Sequence, residues 1–363
     1  MPIAQPIRFQ PGIETPTPDE AETIDGIIEA MTHQAEKVAE RERHAVRASH
    51  AKSSALAVGT LTIHPDLPPE LAQGLFAASG SFDVAIRFAQ GPGETLADRV
   101  GTHRGMAIKV FGVEGEKLGS HRDTTQDFVL ASGPTFPSGT AEGFLKDEKQ
   151  LEAGTSMPEG VKSFVSSAAR NLNRVLHAVG TESPKADFFG HPFVHPLSEP
   201  YYSQAPIRFG DYVAKVAAFP ASAEQDALEN QTIDVDSDPD AFRHATEAFI
   251  RSEETVFELR VQLWTDAEAQ PIEDASVEWK ESDSPFRTVA TIHIPAQEAG
   301  SSERRRYFDE AMSFRPAHTL AAHQPLGSVM RARLRVYEAL AAFRQNANGV
   351  QPQEPQTVTQ IPA

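Results

Sequence analysis

The sequence predicts an α+β protein built on an antiparallel closed β-barrel of about eight strands, with helices at its periphery. Three observations carry that expectation. Short apolar runs bounded by Gly, Pro or Asp recur along the chain, helical stretches stand at both ends, and VFELRVQLW at 256–264 alternates. In that run Phe257, Leu259, Val261 and Leu263 share one face, with Glu258, Arg260 and Gln262 on the other. Such alternation marks a half-buried strand. Seven or eight antiparallel-looking strands suggest closure into a barrel.

Along the chain, residues 1–20 carry Pro2, Pro6, Pro11, Pro16 and Pro18 and read as an extended arm. Residues 20–46 are rich in Ala and Glu, with Ile24, Ile27, Ile28 and Met31 at helical spacing. LAVGTLTI, DVAIRFA, GMAIKVFG and QDFVLAS then follow as short strands. Residues 160–180 read as a helix, and FGDYVAKVAAF at 209–219 and RTVATIHIP at 287–295 as further strands. RARLRVYEALAAFR at 331–344 is helical, and residues 345–363 read as a flexible polar tail with nothing to pack. No repeat or linker interrupts 21–344, which is expected to be a single domain.

The balance of 33 basic against 51 acidic residues leaves a net charge of −18, which argues against nucleic acid or an anionic membrane as partner. The absence of cysteine removes disulfides, iron–sulfur clusters, thiolate-ligated haem, cysteine nucleophiles and c-type haem attachment. No signal-like apolar run opens the chain and no stretch is long enough to span a membrane, so a cytoplasmic location is expected.

Three motifs fail on chemistry. DVDSDPDAF at 234–242 has acids at alternate positions, but Pro239 stands where a calcium loop turns on glycine, and Ala245 replaces the closing glutamate. In HPFVH, Pro192 and Pro196 argue against a helix that would align His191 with His195, and no third ligand lies at a telling spacing. GPG at 91–93 is followed by neither phosphate-binding pattern.

The helix at 331–344 places Arg333, Tyr337, Leu340 and Arg344 along one face. Tyrosine ligates ferric iron as phenolate, and an unperturbed phenol has a pKa near 10. A guanidinium one turn away favours the charged form. Read alone, the helix favours a half-buried core tyrosine with snorkelling arginines. RASHAK at 47–52, just before the first strand, decides between the two readings. Together with AIRFAQGPGETLADRVGTHRGMAIKVF at 85–111, TFP at 135–137 and the helix, it resembles the haem catalase superfamily over residues 40–150 and 310–345.

That resemblance implies a catalase-like haem-binding core. His50 would be the distal acid–base and Tyr337 the iron ligand tuned by Arg333. Arg47, Arg87 and Arg344 would meet haem propionates, and Phe136 would pack near the ring. The implied cofactor is ferric haem b with tyrosinate ligation. The implied partners are a peroxide and an organic electron donor, with a homo-oligomer left open. The chain departs from the pattern where Ala89 replaces the distal serine, where Thr124 replaces the distal asparagine, and where Tyr337 lies 26 residues from the last residue. These departures resemble the short catalase-related peroxidases, for which the expectation is a haem peroxidase with weak or no catalase activity. Conversion of fatty-acid hydroperoxides, or haem carriage or sensing without turnover, stay open.

Overall fold

A computed structural model describes residues 5–178 and 183–363. Among the described residues nine strands form one antiparallel sheet: β1 (Ser53–Ile63), β2 (Gly80–Gln90), β3 (Arg104–Phe111), β4 (Thr125–Ser132), β5 (Tyr201–Tyr202), β6 (Ile207–Phe209), β7 (Tyr212–Pro220), β8 (Thr255–Leu263) and β9 (Arg287–Ile294). The order runs β5–β4–β3–β2–β1–β9–β8–β7–β6, and β5 also pairs with β7. That last pairing closes an eight-stranded barrel and leaves β6 as a hairpin appended to β7. The run at 209–219 is therefore broken after Phe209, where Gly210 takes a positive φ of 61°.

Alternation along the strands sorts the residues between two environments. Val84, Ile86, Phe88, Met106, Ile108, Val110, Phe128 and Leu130 join the main core with Phe257, Leu259 and Val261. Their neighbours in sequence point outward, and at the end of the sheet near His50 most of them are small. Ala89 pairs with Gly105 and Gly105 with Ala131; Arg87 pairs with Ala107 and Ala107 with Val129. Directly paired residues share a face, so this end of the outside of β2–β4 is a nearly flat floor interrupted by one arginine, with the ion pair of Lys109 and Asp127 further along the same face.

Helices cover that floor and the barrel ends: α1 (Glu20–Glu42), α2 (Ala141–Gly154), α3 (Glu159–Ala178), α4 (Pro184–Phe189), α5 (Ala223–Asp226), α6 (Ala241–Ser252), α7 (Ser302–Arg306) and α8 (Ser328–Asn348). A π-helical turn, Tyr307–Ala311, continues α7. Ile24, Ile27 and Met31 of α1 pack with Phe144 of α2 and with Ala332 and Val336 of α8. The helix expected over 20–46 stops at Glu42, because Arg43 turns left-handed at φ 56°. Of the stretch expected as helix over 160–180, residues 179–180 lie outside the described ones, as do residues 1–4 of the arm. The described arm is extended, with Ile7, Phe9 and Ile13 against Trp264 and Trp279.

The expectation of a flexible tail from 345 is corrected. α8 continues to Asn348, and Val358 and Ile361 pack against the cluster of Phe308, Met312 and Phe314. Backbone and side-chain bonds tie the segment down: Gln353 N donates to Ala311 O at 3.0 Å, and Arg304 Nε to Pro362 O at 2.9 Å. Two apolar residues three apart were enough to anchor a stretch whose average polarity suggested solvent.

Candidate active site

A cavity of about 610 Å³ lies between the flat floor of β2–β4 and α8. Ala89, Gly105, Ala107, Val129 and Ala131 line one wall, and Arg333, Val336, Tyr337, Leu340, Ala341 and Arg344 the other. All seven residues singled out from the sequence, Arg47, His50, Arg87, Phe136, Arg333, Tyr337 and Arg344, line this one cavity. Phe136 meets Phe144 edge-on at 5.2 Å between ring centres.

RASHAK forms the turn that enters β1. His50 adopts φ 55°, with its N–H donating to Gly91 O at 2.9 Å. Its ring Nδ1 stands 3.2 Å from Gln90 O. A carbonyl only accepts, so Nδ1 carries the hydrogen and a neutral ring presents Nε2 as a lone pair. Gly105 makes room for that ring, since a Cβ there would lie 2.7 Å from Nδ1. Burial, then the charge of Arg87, pushes the His50 pKa down to about 3. Lys52 anchors the end of the motif on Asp98 Oδ1 at 2.8 Å and Asp240 Oδ1 at 2.9 Å.

Beside this turn the cavity is lined by four arginines. Arg87 donates from Nε to Asp309 Oδ1 at 2.8 Å and from Nη2 to the carbonyls of His50 and Ala51. Arg47 spends Nη2 on Phe308 O and Met312 O. Its Nε, Nε and Nη2 of Arg344, and Nε of Arg315 are buried without partners, as is Ser313 Oγ. Arg315 and Ser313 line the same cavity. Burial, with Arg344 and Arg87 adding to it, holds the Arg47 guanidinium well below the ordinary range. Burial and Arg87 bring Arg344 down to about 10. Such a cluster favours an anionic occupant.

On the opposite wall Arg333 Nη2 donates to Tyr337 Oη at 3.1 Å, and its Nη1 approaches Met330 Sδ at 3.3 Å. The guanidinium also lies 5.3 Å from the Tyr337 ring centre. Arg333 is buried and Tyr337 half-buried, facing the cavity.

No protein-family model matches the sequence, and no curated protein does either. Solved structures do. A fungal catalase matches with a TM-score of 0.58 at 18% identity, covering 86% of this chain and 63% of its own. The chain thus spans less than two thirds of that catalase. Catalase A from Saccharomyces cerevisiae matches with a TM-score of 0.57 at 18% identity, covering 96% of this chain and 70% of its own. The chain has a catalase-like fold.

Within this catalase-like barrel the sequence reading missed several cavity residues. Arg315 and Ser313 sit in an irregular segment with no periodicity to mark them. Asp309, the partner of Arg87, lies in the π-helical turn 222 positions away in sequence. Thr124 is not among the lining residues, whereas Gln204 is, with its amide donating to Gly133 O and Thr135 O. The histidines of HPFVH part company. His195 Nδ1 accepts from Leu197 N, while His191 sits beside His103 with ring centres 5.1 Å apart. The acidic stretch at 234–242 opens as a turn in which Asp234 accepts from Asp236 N and from Ser237, and it runs into α6 with Val235, Ala241 and Phe242 buried together. Among the described residues no helix is long and apolar enough to cross a membrane.

Proposed function

We propose that this chain is a haem peroxidase that reduces hydrogen peroxide or an organic hydroperoxide with electrons from an organic donor, with weak or no catalase activity. One observation carries the reading: a histidine with a bare Nε2 and a tyrosine held by arginine line one flat-floored cavity. The residues present suit ferric haem b. Tyr337 would ligate the iron as tyrosinate, with Arg333 donating to the same oxygen. Arg47, Arg344 and Arg315 would pair with the two propionates through N–H groups that otherwise stay buried and unpartnered. The Ala and Gly floor would admit the flat face of the ring, and Phe136 would border it. Arg87, committed to Asp309 and to the His50 turn, is better read as a positioning residue than as a direct propionate contact.

Bound haem supplies the redox centre that accepts the oxidising equivalents of the peroxide. The chain supplies the proton path. His50 Nε2 takes the hydroperoxide proton from one oxygen and returns it to the other, so that water or an alcohol leaves. Its Nδ1–H stays donated to Gln90 O throughout. Such general acid–base assistance is worth roughly 10²–10⁴-fold. Ala89 offers no hydroxyl near His50, which supports weak turnover of a second peroxide.

The test is haem-reconstituted protein mixed with hydrogen peroxide, with oxygen release and dye oxidation followed together. Dye oxidation with little oxygen is expected. Dominant oxygen release would make the protein a catalase, and neither signal would leave a haem carrier or sensor. A second reading, conversion of fatty-acid hydroperoxides, is favoured by the exposed apolar residues Leu151, Met157 and Val165 that line the cavity. Turnover of such a hydroperoxide without any donor would establish it in place of the first.

A further inference from the structure

Beyond the cavity floor, at the start of β3, three side chains from separate elements converge. His103 precedes β3, Asp187 belongs to α4, and His191 lies in the loop that follows it. One nitrogen from each imidazole and one carboxylate oxygen of Asp187 lie within 4.8 Å of one another. We propose that His103, Asp187 and His191 bind one divalent transition-metal ion of the zinc class at the edge of the Tyr337 cavity, which His103 also lines.

The donor set is right for that class, since two imidazoles and a carboxylate bind at about 2.0–2.2 Å. His191 and Asp187 each also have an outer partner that fixes them, as metal-ligating side chains generally do. His191 Nε2 stands 2.5 Å from Glu199 Oε2. A carboxylate accepts, so Nε2 holds the hydrogen of the neutral ring and Nδ1 is left bare. Glu199 is in turn held by Arg104 Nη1. Asn173 Nδ2 donates to Asp187 Oδ1 at 3.0 Å, leaving Oδ2 toward His103 Nε2 at 2.7 Å.

The independent observation is that these rings are left wanting. His103 is 2% exposed and His191 8% exposed, and the Nδ1 of each is buried with no hydrogen-bond partner. Buried nitrogens without partners are costly, and a coordinated ion removes that cost for any nitrogen it takes. Gly133 stands where a Cβ would lie 2.4 Å from the His103 ring, so the backbone leaves this imidazole its room. Asp187 retains a side chain 29% exposed, which gives an ion a route in.

The ion would act as a clamp. His103 N donates to Phe188 O, and the two rings meet edge-on at 5.3 Å. Phe188 and Phe189 of α4 line the cavity, so an ion here would fasten that wall to the barrel.

The test is calorimetric titration of Zn²⁺ into the full chain, stripped by chelator and haem-free, repeated on Tyr337→Phe to exclude the cavity. The expectation is one tight equivalent per chain with a raised Tm. Asp187→Asn and His191→Ala should each weaken that equivalent by at least 10-fold. Glu199→Gln should weaken it by about 10–100-fold as an outer partner, and His44→Ala, on an exposed histidine, should leave it unchanged. Circular dichroism of each variant separates lost binding from lost folding, and the near-isosteric Asp187→Asn keeps the test decisive if His191→Ala fails to fold. No tight equivalent in the parent chain, or one that survives Asp187→Asn and His191→Ala alike, would overturn the site.

Discussion

Arg333 and Tyr337 stand one helical turn apart on α8, and the guanidinium donates to the phenol oxygen at 3.1 Å while both face the cavity. The spacing of four residues makes this contact a property of the helix itself. It needs no neighbouring element to form. What surrounds the pair decides what it is for.

Removing Arg344 should separate the stability of the empty chain from its affinity for haem. Arg344 is buried with Nε and Nη2 unpartnered, and its charge repels that of Arg47. Arg344→Leu should therefore leave the haem-free Tm unchanged or raise it. It should also weaken haem binding by roughly 10–100-fold, the worth of a charge-assisted pair. Differential scanning and absorbance titration measure the two effects; a fall in Tm with unaltered affinity would make Arg344 a structural residue.

His50 sets the pH behaviour. Burial and Arg87 hold its pKa at about 3, below the 6.5 of an exposed imidazole. The neutral base is thus present throughout pH 5–8, and the second-order rate with hydrogen peroxide should show no inflection near 6.5. His50→Ala should lower that rate by roughly 10²–10⁴-fold with haem retained. Stopped-flow traces across the pH range check both; an inflection near 6.5 that vanishes in His50→Ala would contradict the assigned environment.

Glu148 should govern part of the stability curve. Burial raises its carboxyl from 4.5 to about 7, against the hydrogen bond from Gln34 Nε2 at 2.8 Å. The folded chain keeps the proton up to about pH 7, whereas the unfolded chain releases it near 4.5. Stability from this group is full below pH 4.5 and is lost as pH rises toward 7, by about 3 kcal/mol in all. Glu148→Gln should flatten the fall between pH 5 and 7 relative to the parent, measured by denaturant unfolding at each pH. Parallel curves for the two proteins would refute it.

Exchange of Arg333 for Lys should keep a cation one turn from Tyr337 but lose the planar fork that reaches its oxygen. Haem should still bind, with charge-transfer bands shifted from those of the parent. An identical spectrum would mean that the guanidinium does not act on the ligand oxygen.

Much of the barrel was legible because alternation at Phe257, Leu259 and Val261, and at Val84, Ile86 and Phe88, is imposed locally by the pleat. Of the candidate cavity residues, Arg333, Tyr337 and Arg344 were legible as one helix face, whereas Arg47, His50, Arg87 and Phe136 were implied only by the resemblance to the haem catalase superfamily. What escaped depends on contacts distant in sequence. Asp309 meets Arg87, and His103 meets Asp187 and His191, only after the strands have paired and α4 has docked. Residues 350–363 escaped because Val358 and Ile361 are few among polar neighbours, and only the outer face of the barrel makes them count.

The central claim rests on Tyr337, and absorption spectroscopy of haem-titrated protein tests it most directly. The parent chain should bind one haem with a ferric high-spin, tyrosinate-type spectrum. Tyr337→Phe, which removes one hydrogen bond and about 1 kcal/mol of stability, should stay folded yet lose that spectrum and most of the haem. An unchanged spectrum and affinity in folded Tyr337→Phe would contradict the account.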